Sequence, residues 1–226
     1  MTSEIIDDAV VDILQRELLN GFTREEAYAL CAEMRPFKRA YGRDAIVINE
    51  GDDAGRVGLV RMGKISATKL TGEGSEHILA MHEPGDLISL DSAFTHPRTS
   101  PLTFTALERS EVIFLDLDAA LASVTELKTA SRLSRNIAVM LADKCVRLLY
   151  KTEVLSKRSL RDRIMTYLRI QQRKQGRSTI KLGMDREQFA QYLCVNRSAL
   201  SRELGEMRRI GLVRFEHGDK MTLRDD

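Results

Sequence analysis

The chain has 226 residues, 30% of them charged and 43% hydrophobic, with 35 Lys+Arg against 33 Asp+Glu and a formal net charge of +2. That composition excludes a disordered or collagen-like chain, and the length allows one large domain or two small ones. Cys31, Cys145 and Cys194 are too few and too scattered for a disulfide framework or a structural zinc site; with no basic–apolar leader and no apolar run of about eighteen residues, the chain is expected to be soluble and cytoplasmic.

A short helical start (Ile6, Val10, Ile13, Leu14, then Arg24 to Met34) gives way to apolar runs separated by turn residues. The runs are Ile46–Ile48, Val57–Met62, Ile65–Thr68, His77–Met81, Leu87–Ile88, Leu102–Leu107 and Val112–Leu115. Turns are expected at Glu50-Gly51-Asp52-Asp53, Met62-Gly63-Lys64, Thr71-Gly72-Glu73-Gly74 and Glu83-Pro84-Gly85-Asp86. Short strands with glycine at the turns predict an antiparallel roll, whose interior is either filled by side chains or holds one small ligand.

From Asp118 the period becomes helical, with Leu133, Ile137, Met140, Leu141, Cys145 and Leu148 recurring at steps of three and four. Packing against the roll would cover this stripe. A second copy of the same helix suits its narrow seam better, so these six residues are the expected dimer interface, with Cys145 as a small buried residue. The expected division is a roll with its N-terminal helices over 1–117, a dimerisation helix and hinge over 118–156, and a third unit over 157–226.

The charge is segregated along the chain: residues 1–146 carry net −7 and residues 147–214 net +11. A basic second part points to a polyanionic partner, and the order of elements within it says which. Ser159 caps a helix marked by Leu160, Ile164, Tyr167 and Leu168, and a short strand follows at Thr179–Leu182. Asp185 caps a helix to Tyr192, Leu193-Cys194-Val195 forms a tight turn, and Asn196 caps a second helix, Arg197 to Arg209. Leu212–Phe215 and Met221–Leu223, around a His217-Gly218-Asp219-Lys220 turn, make a two-stranded wing. Helix, turn, helix and hairpin in that order constitute a winged helix-turn-helix. Arg197 and Arg202 lie about 7 Å apart along the axis, and each can bond a guanine O6/N7 edge in bidentate fashion. Asn196, Ser198, Ser201 and the capped terminus suit phosphate and short-range base contacts, with Arg186 on the preceding helix completing the DNA-facing set. Cys194 is expected to be a small buried spacer.

The line from Asp185 to Leu204 resembles the DNA reader of the catabolite-activator/FNR superfamily of bacterial transcription regulators. Ile48-Asn-Glu-Gly-Asp, Leu59-Val-Arg-Met-Gly-Lys-Ile and His82-Glu-Pro-Gly-Asp-Leu-Ile resemble the strand–turn landmarks of its roll, so the likeness runs from about Phe22 to Leu223. The resemblance implies an α+β chain: a cyclic-nucleotide-binding-like antiparallel β-roll, a long dimerisation helix and a C-terminal winged helix-turn-helix. It also implies a homodimer on a palindromic operator in double-stranded DNA, activation through RNA polymerase, and no membrane association.

The departures are specific. Where a cyclic-AMP cassette carries Gly-Glu and then Arg-Ser, this chain has Ser89-Leu90 and Ser100-Pro101, with Arg98 two residues off register. The adenine-facing hydroxyl pair falls at Leu148-Leu149. An effector pocket in the family's place would be formed by Ile88, Ser89, Leu90, Arg98, Ser100, Leu148 and Leu149. A phosphate buried there without a cation costs several kcal/mol, which disfavours cyclic AMP. The N-terminal cysteine cluster of the FNR iron–sulfur sensor is missing. His77, His82 and His96 leave a haem or metal sensor as an alternative, although an odd step on one strand would turn His77 and His82 to opposite faces. A cupin-like metal enzyme would need a converging His/Glu cluster that the spacing does not supply, so the expectation is a non-enzyme without metal or cofactor, with an unidentified small effector or none. Ser198 stands where the family commonly has a glutamate, and it cannot reach a cytosine amine in the same way.

Overall fold

The computed structural model describes residues 5–70, 76–216 and 220–223. The expected turns at Thr71–Gly74 and His217–Asp219 lie outside the described residues, as does the side chain of His77. The chain forms two compact units, Met1–Asp143 and Lys144–Asp226.

The first unit opens with two capped helices. In α1 (Asp8–Leu14) the Asp7 carboxylate accepts from the Val10 N–H; in α2 (Arg24–Glu33) Thr23 and Glu26 make a reciprocal capping box. Eight strands follow: β1 (Phe37–Tyr41), β2 (Ile46–Ile48), β3 (Val57–Met62), β4 (Ile65–Leu70), β5 (Glu76–His82), β6 (Leu87–Ile88), β7 (Thr103–Ala106) and β8 (Ser110–Leu115). They build two four-stranded antiparallel sheets, ordered β1-β8-β3-β6 and β2-β7-β4-β5. β1 is the strand the sequence pattern does not announce. Its Phe-Lys-Arg-Ala-Tyr run is exposed at all but Tyr41, and pairing of Phe37 with Phe114 on β8 makes it a strand.

In the β1-β8-β3-β6 sheet the strands β3 and β8 are largely buried on both faces, and alternation along them assigns the sides. Val57, Leu59, Ile113 and Leu115 pack beneath the helices, while Val60, Val112 and Phe114 point into the roll. Side chains pack into the roll interior, among them Ile65, Ile88 and Phe104. Gly58 shows how tightly. A Cβ there would stand 2.7 Å from Ile88 Cγ1 and 2.9 Å from Val112 Cγ1. In β5 an extra residue, Leu79, stands between the pairs Ala67–Ala80 and Thr68–Ile78. That bulge breaks the strict alternation used to set His77 and His82 on opposite faces.

A short helix, α3 (Leu117–Ser123), precedes the long α4 (Leu127–Leu155). The expected seam divides here. Leu133 and Ile137 are 0% and 4% exposed inside the core of the first unit, and Met140 and Leu141 pack on its margin. Leu133 and Ile137 are therefore core residues of this unit, covered by the helical layer over the β1-β8-β3-β6 sheet, while Met140 and Leu141 are only partly covered. On the single chain Cys145 and Leu148 are exposed. A second apolar line, Val139, Ala142, Val146 and Leu149, runs roughly half a turn away from Leu133 and Ile137 and remains open. The exposures of Val139, Val146 and Leu149 are 51%, 44% and 68%. The last turns of α4 belong to the second unit, where Val154 is fully buried and Tyr150 packs at the edge.

The second unit continues with α5 (Leu160–Gln175), capped by Ser159 and ended by Gly176 at φ 60°. Next come β9 (Thr179–Lys181), α6 (Arg186–Tyr192), α7 (Arg197–Arg209), β10 (Val213–Phe215) and β11 (Lys220–Leu223). The strands form one antiparallel sheet, ordered β10-β11-β9, so the wing gains a third strand from Thr179–Lys181. Tyr167 and Phe189, with ring centroids 4.9 Å apart, lie at the centre of its core.

Replacing Gly58 with Ala should destabilise the first unit by about 1–3 kcal/mol through overpacking against Ile88 and Val112. Urea unfolding monitored against the wild type measures it, and an unchanged midpoint would show that the roll interior has slack.

Candidate nucleic-acid interface

The reading helix is positioned by caps. At the start of α6, Asp185 Oδ1 accepts from the Gln188 N–H at 2.8 Å and Gln188 Oε1 accepts from the Asp185 N–H at 2.9 Å. The chain then turns through Cys194 at φ 55°, with the Val195 N–H donating to Ala190 O at 3.0 Å. Asn196 Oδ1 starts α7 by accepting from the Ala199 N–H and the Ser198 hydroxyl, both at 2.7 Å. Leu200, Leu204 and Met207 are buried below, which turns Arg197, Ser198, Ser201 and Arg202 to solvent. Among the described residues, neither Arg197 nor Arg202 is paired with a carboxylate. The structure thus brings five of the six sequence-selected residues onto one exposed helix end.

Arg186, the sixth, lies differently. Its guanidinium is half-buried 4.7 Å from the centroid of the Phe215 ring on the wing, and Arg208 approaches the same ring at 5.9 Å. Burial lowers the Arg186 pKa, and among the described residues its Nη1 has no hydrogen-bond partner. In this position it clamps α6 to β10 instead of projecting freely. Cys194, expected to be buried, is exposed. The close α6–α7 turn needs a left-handed residue there, and that geometry leaves the side chain outside the core.

Sequence reasoning did not single out two further arginines. Arg161 Nε pairs with Glu203 Oε1 on α7 at 2.6 Å, and Arg163 donates to two backbone carbonyls, Lys157 O and Leu193 O. Their surplus charge is visible in the sequence; contacts 30 and 42 residues apart are not.

In the roll, Ile88, Ser89, Leu90 and Ser100 are buried. Ser89 sits at φ 63° with its Oγ unpartnered, and the Ser100 hydroxyl donates to Leu102 O at 2.6 Å. Arg98 pairs with Asp118 beside a surface groove of about 490 Å³ that Arg35, Asp116 and Ser123 also line. The Arg98 guanidinium is therefore committed to Asp118 at that groove. Leu148 and Leu149 lie on the second unit, both exposed. These residues do not supply the carboxylate and the cation that a cyclic nucleotide needs for its ribose and phosphate.

Residues 38–125 match the cyclic nucleotide-binding domain family, and residues 162–225 match the Crp-like helix-turn-helix domain. The chain belongs to the catabolite-activator/FNR superfamily of transcription regulators. The regulator is 27% identical over 190 residues to the transcriptional activator protein Anr of Pseudomonas aeruginosa, covering 80% of this chain and 73% of that protein. Its fold is similar to a solved CooA mutant from Carboxydothermus hydrogenoformans, with 21% identity, 86% of each chain covered and a TM-score of 0.61. It is also similar to the c-di-GMP-responsive regulator CLP of Xanthomonas campestris, with 18% identity, 90% of this chain and 100% of that one covered, and a TM-score of 0.61. Among its described residues no helix is long and apolar enough to cross a membrane.

Cys194→Gly should stabilise the second unit by up to about 1 kcal/mol, because glycine enters the left-handed region without a Cβ penalty. Thermal unfolding of the two chains tests this; a lower midpoint for the glycine variant would mean that the thiol packs favourably in the turn.

Proposed function

We propose that this regulator acts as a homodimer that reads a palindromic operator in double-stranded DNA and activates transcription through RNA polymerase. The observation that carries the reading is the exposed, carboxylate-free pair Arg197 and Arg202 on a helix whose opposite face is locked into the core. Each guanidinium offers two parallel donors to a guanine edge, and Ser198 and Ser201 supply hydroxyls beside them. The Ser198 proton is directed to Asn196, which leaves that hydroxyl as an acceptor toward DNA. The clamped Arg186 contributes to DNA contact mainly by fixing the wing.

Val139, Ala142, Val146 and Leu149 recur at steps of three and four on the open side of α4 and form the dimer seam. Cys145 borders it; Leu133, Ile137, Met140, Leu141 and Leu148 lie toward the other side of the helix. A two-fold dimer presents two reading helices and so matches an operator with two-fold symmetry. The similarity to the activator Anr favours activation over repression.

The effector, if the roll takes one, is a small molecule other than cyclic AMP. An iron–sulfur sensor is disfavoured as well, since Cys31 is buried and its thiol is pushed up to about 12, away from the thiolate a cluster requires. The protein works in the cytoplasm by binding rather than by catalysis.

Selection from a random duplex pool should yield a symmetric site. On that site Arg202→Ala should weaken binding by about 1–3 kcal/mol and change affinity for scrambled duplex little. Equal losses on both duplexes would reduce Arg202 to a backbone contact. Val146→Glu should dissociate the dimer in sedimentation and weaken operator binding, and an intact dimer would exclude this seam.

A further inference from the structure

The two donor contacts of Arg163 join parts of the second unit that are distant in sequence. Its Nε donates to Lys157 O at 3.0 Å, in the connection between α4 and α5. Its Nη1 donates to Leu193 O at 3.3 Å, the residue that ends α6. Cys194, left-handed, comes next, and Asn196 caps the reading helix two residues later. The guanidinium is partly buried and has no carboxylate partner among the described residues. A cation placed against two carbonyls is oriented by its planar fork, so it fixes an angle as well as a distance.

We propose that Arg163 is a positioning residue for DNA reading, a brace that ties the turn ahead of Asn196 to the α4–α5 connection. The proposal rests on the DNA-reading function above. The α6–α7 turn has one strained residue, Cys194, and main-chain bonds from Cys194 N to Gln191 O and from Val195 N to Ala190 O. Those bonds look back along α6, and none reaches α5. Arg163 supplies that missing link from the side of the connection. Arg161 adds a second tie, from α5 to Glu203 midway along α7. Together they fix the start and the middle of the reading helix to α5. A shift of the Lys157 carbonyl would move the Arg163 fork and, through it, the point at which α7 begins.

Removal of the brace should loosen the aim of Arg197 and Arg202 while leaving the positive charge of the surface in place. The test uses the full chain as wild type, Arg163→Lys, Arg163→Gln and, as a charge control, Arg169→Gln on an exposed position of the same helix. Binding is measured on the duplex the wild type enriches from a random pool and on a scrambled duplex, over a range of salt. Loss of one aligned bidentate base contact corresponds to about five- to 150-fold, so both Arg163 variants should lose that much on the enriched duplex and little on the scrambled one. Arg163→Lys should keep the wild-type salt slope, and Arg169→Gln should retain the discrimination between the duplexes. Rescue by Arg163→Lys, with equal losses on both duplexes for Arg163→Gln, would make Arg163 a phosphate contact and overturn the brace. Unchanged affinity for the enriched duplex, even with a lower unfolding midpoint, would leave it a merely structural residue and overturn the proposal too.

Exchange of the Arg163 Nε–H in the wild-type chain, followed by nitrogen-15 NMR, needs no variant to fold. Slow exchange supports the brace, and exchange as fast as at exposed Arg169 counts against it. A wild type that enriches no sequence defeats the DNA-reading proposal, which this exchange measurement distinguishes from failure of the brace itself.

Discussion

Asn196 Oδ1 accepts from the Ala199 N–H and the Ser198 hydroxyl, and this cap fixes where the reading helix starts. Once the first residue is set, the helical period does the rest. Leu200, Leu204 and Met207 fall on the side that meets Phe189, Ala190 and Tyr167, and Arg197, Ser201 and Arg202 fall on the side that meets solvent. A start displaced by one residue would rotate the arginines by roughly 100° and bring charge toward the core. The cap and the apolar stripe therefore agree on one orientation, and the DNA-facing chemistry depends on that agreement.

The same unit shows how basic residues divide their work. Arg197 and Arg202 have no carboxylate partner among the described residues, while Arg161 and Arg163 are spent on Glu203 and on two backbone carbonyls, and Arg186 on the Phe215 ring. Fixed arginines beneath a free pair give a rigid platform, which is what sequence readout requires of a contact that must meet a base edge within about half an ångström. A count of positive charge detects the polyanion partner and is blind to this division.

The roll packs its own side chains inward. Ile88 reaches across to Gly58, Ser100 is turned to the backbone, and Arg98 is held outside by Asp118. The buried Ser89 hydroxyl is the polar atom left over at the former cassette. The roll matches the cyclic nucleotide-binding domain family, and Ser89-Leu90 and Ser100-Pro101 stand at the positions expected for its cyclic-AMP cassette.

The sequence by itself determined the antiparallel roll, the winged helix-turn-helix order and the outward arginine pair, because strand alternation, caps and helical period are local and need no distant partner. It also showed Ser89-Leu90 and Ser100-Pro101 at the expected cassette positions, since residue types need no coordinates. Only the tertiary structure decided which face of α4 stays open. That helix carries more apolar residues than one seam can use, and contact with the roll claims Leu133 and Ile137 before any second chain could. Tertiary contact also made an edge strand of Phe37–Tyr41 by pairing it with β8, exposed Cys194 and Cys145, and turned Arg186 onto the wing. In each case burial depends on what arrives from elsewhere in the chain, and a periodic pattern cannot say which of two faces that neighbour will take.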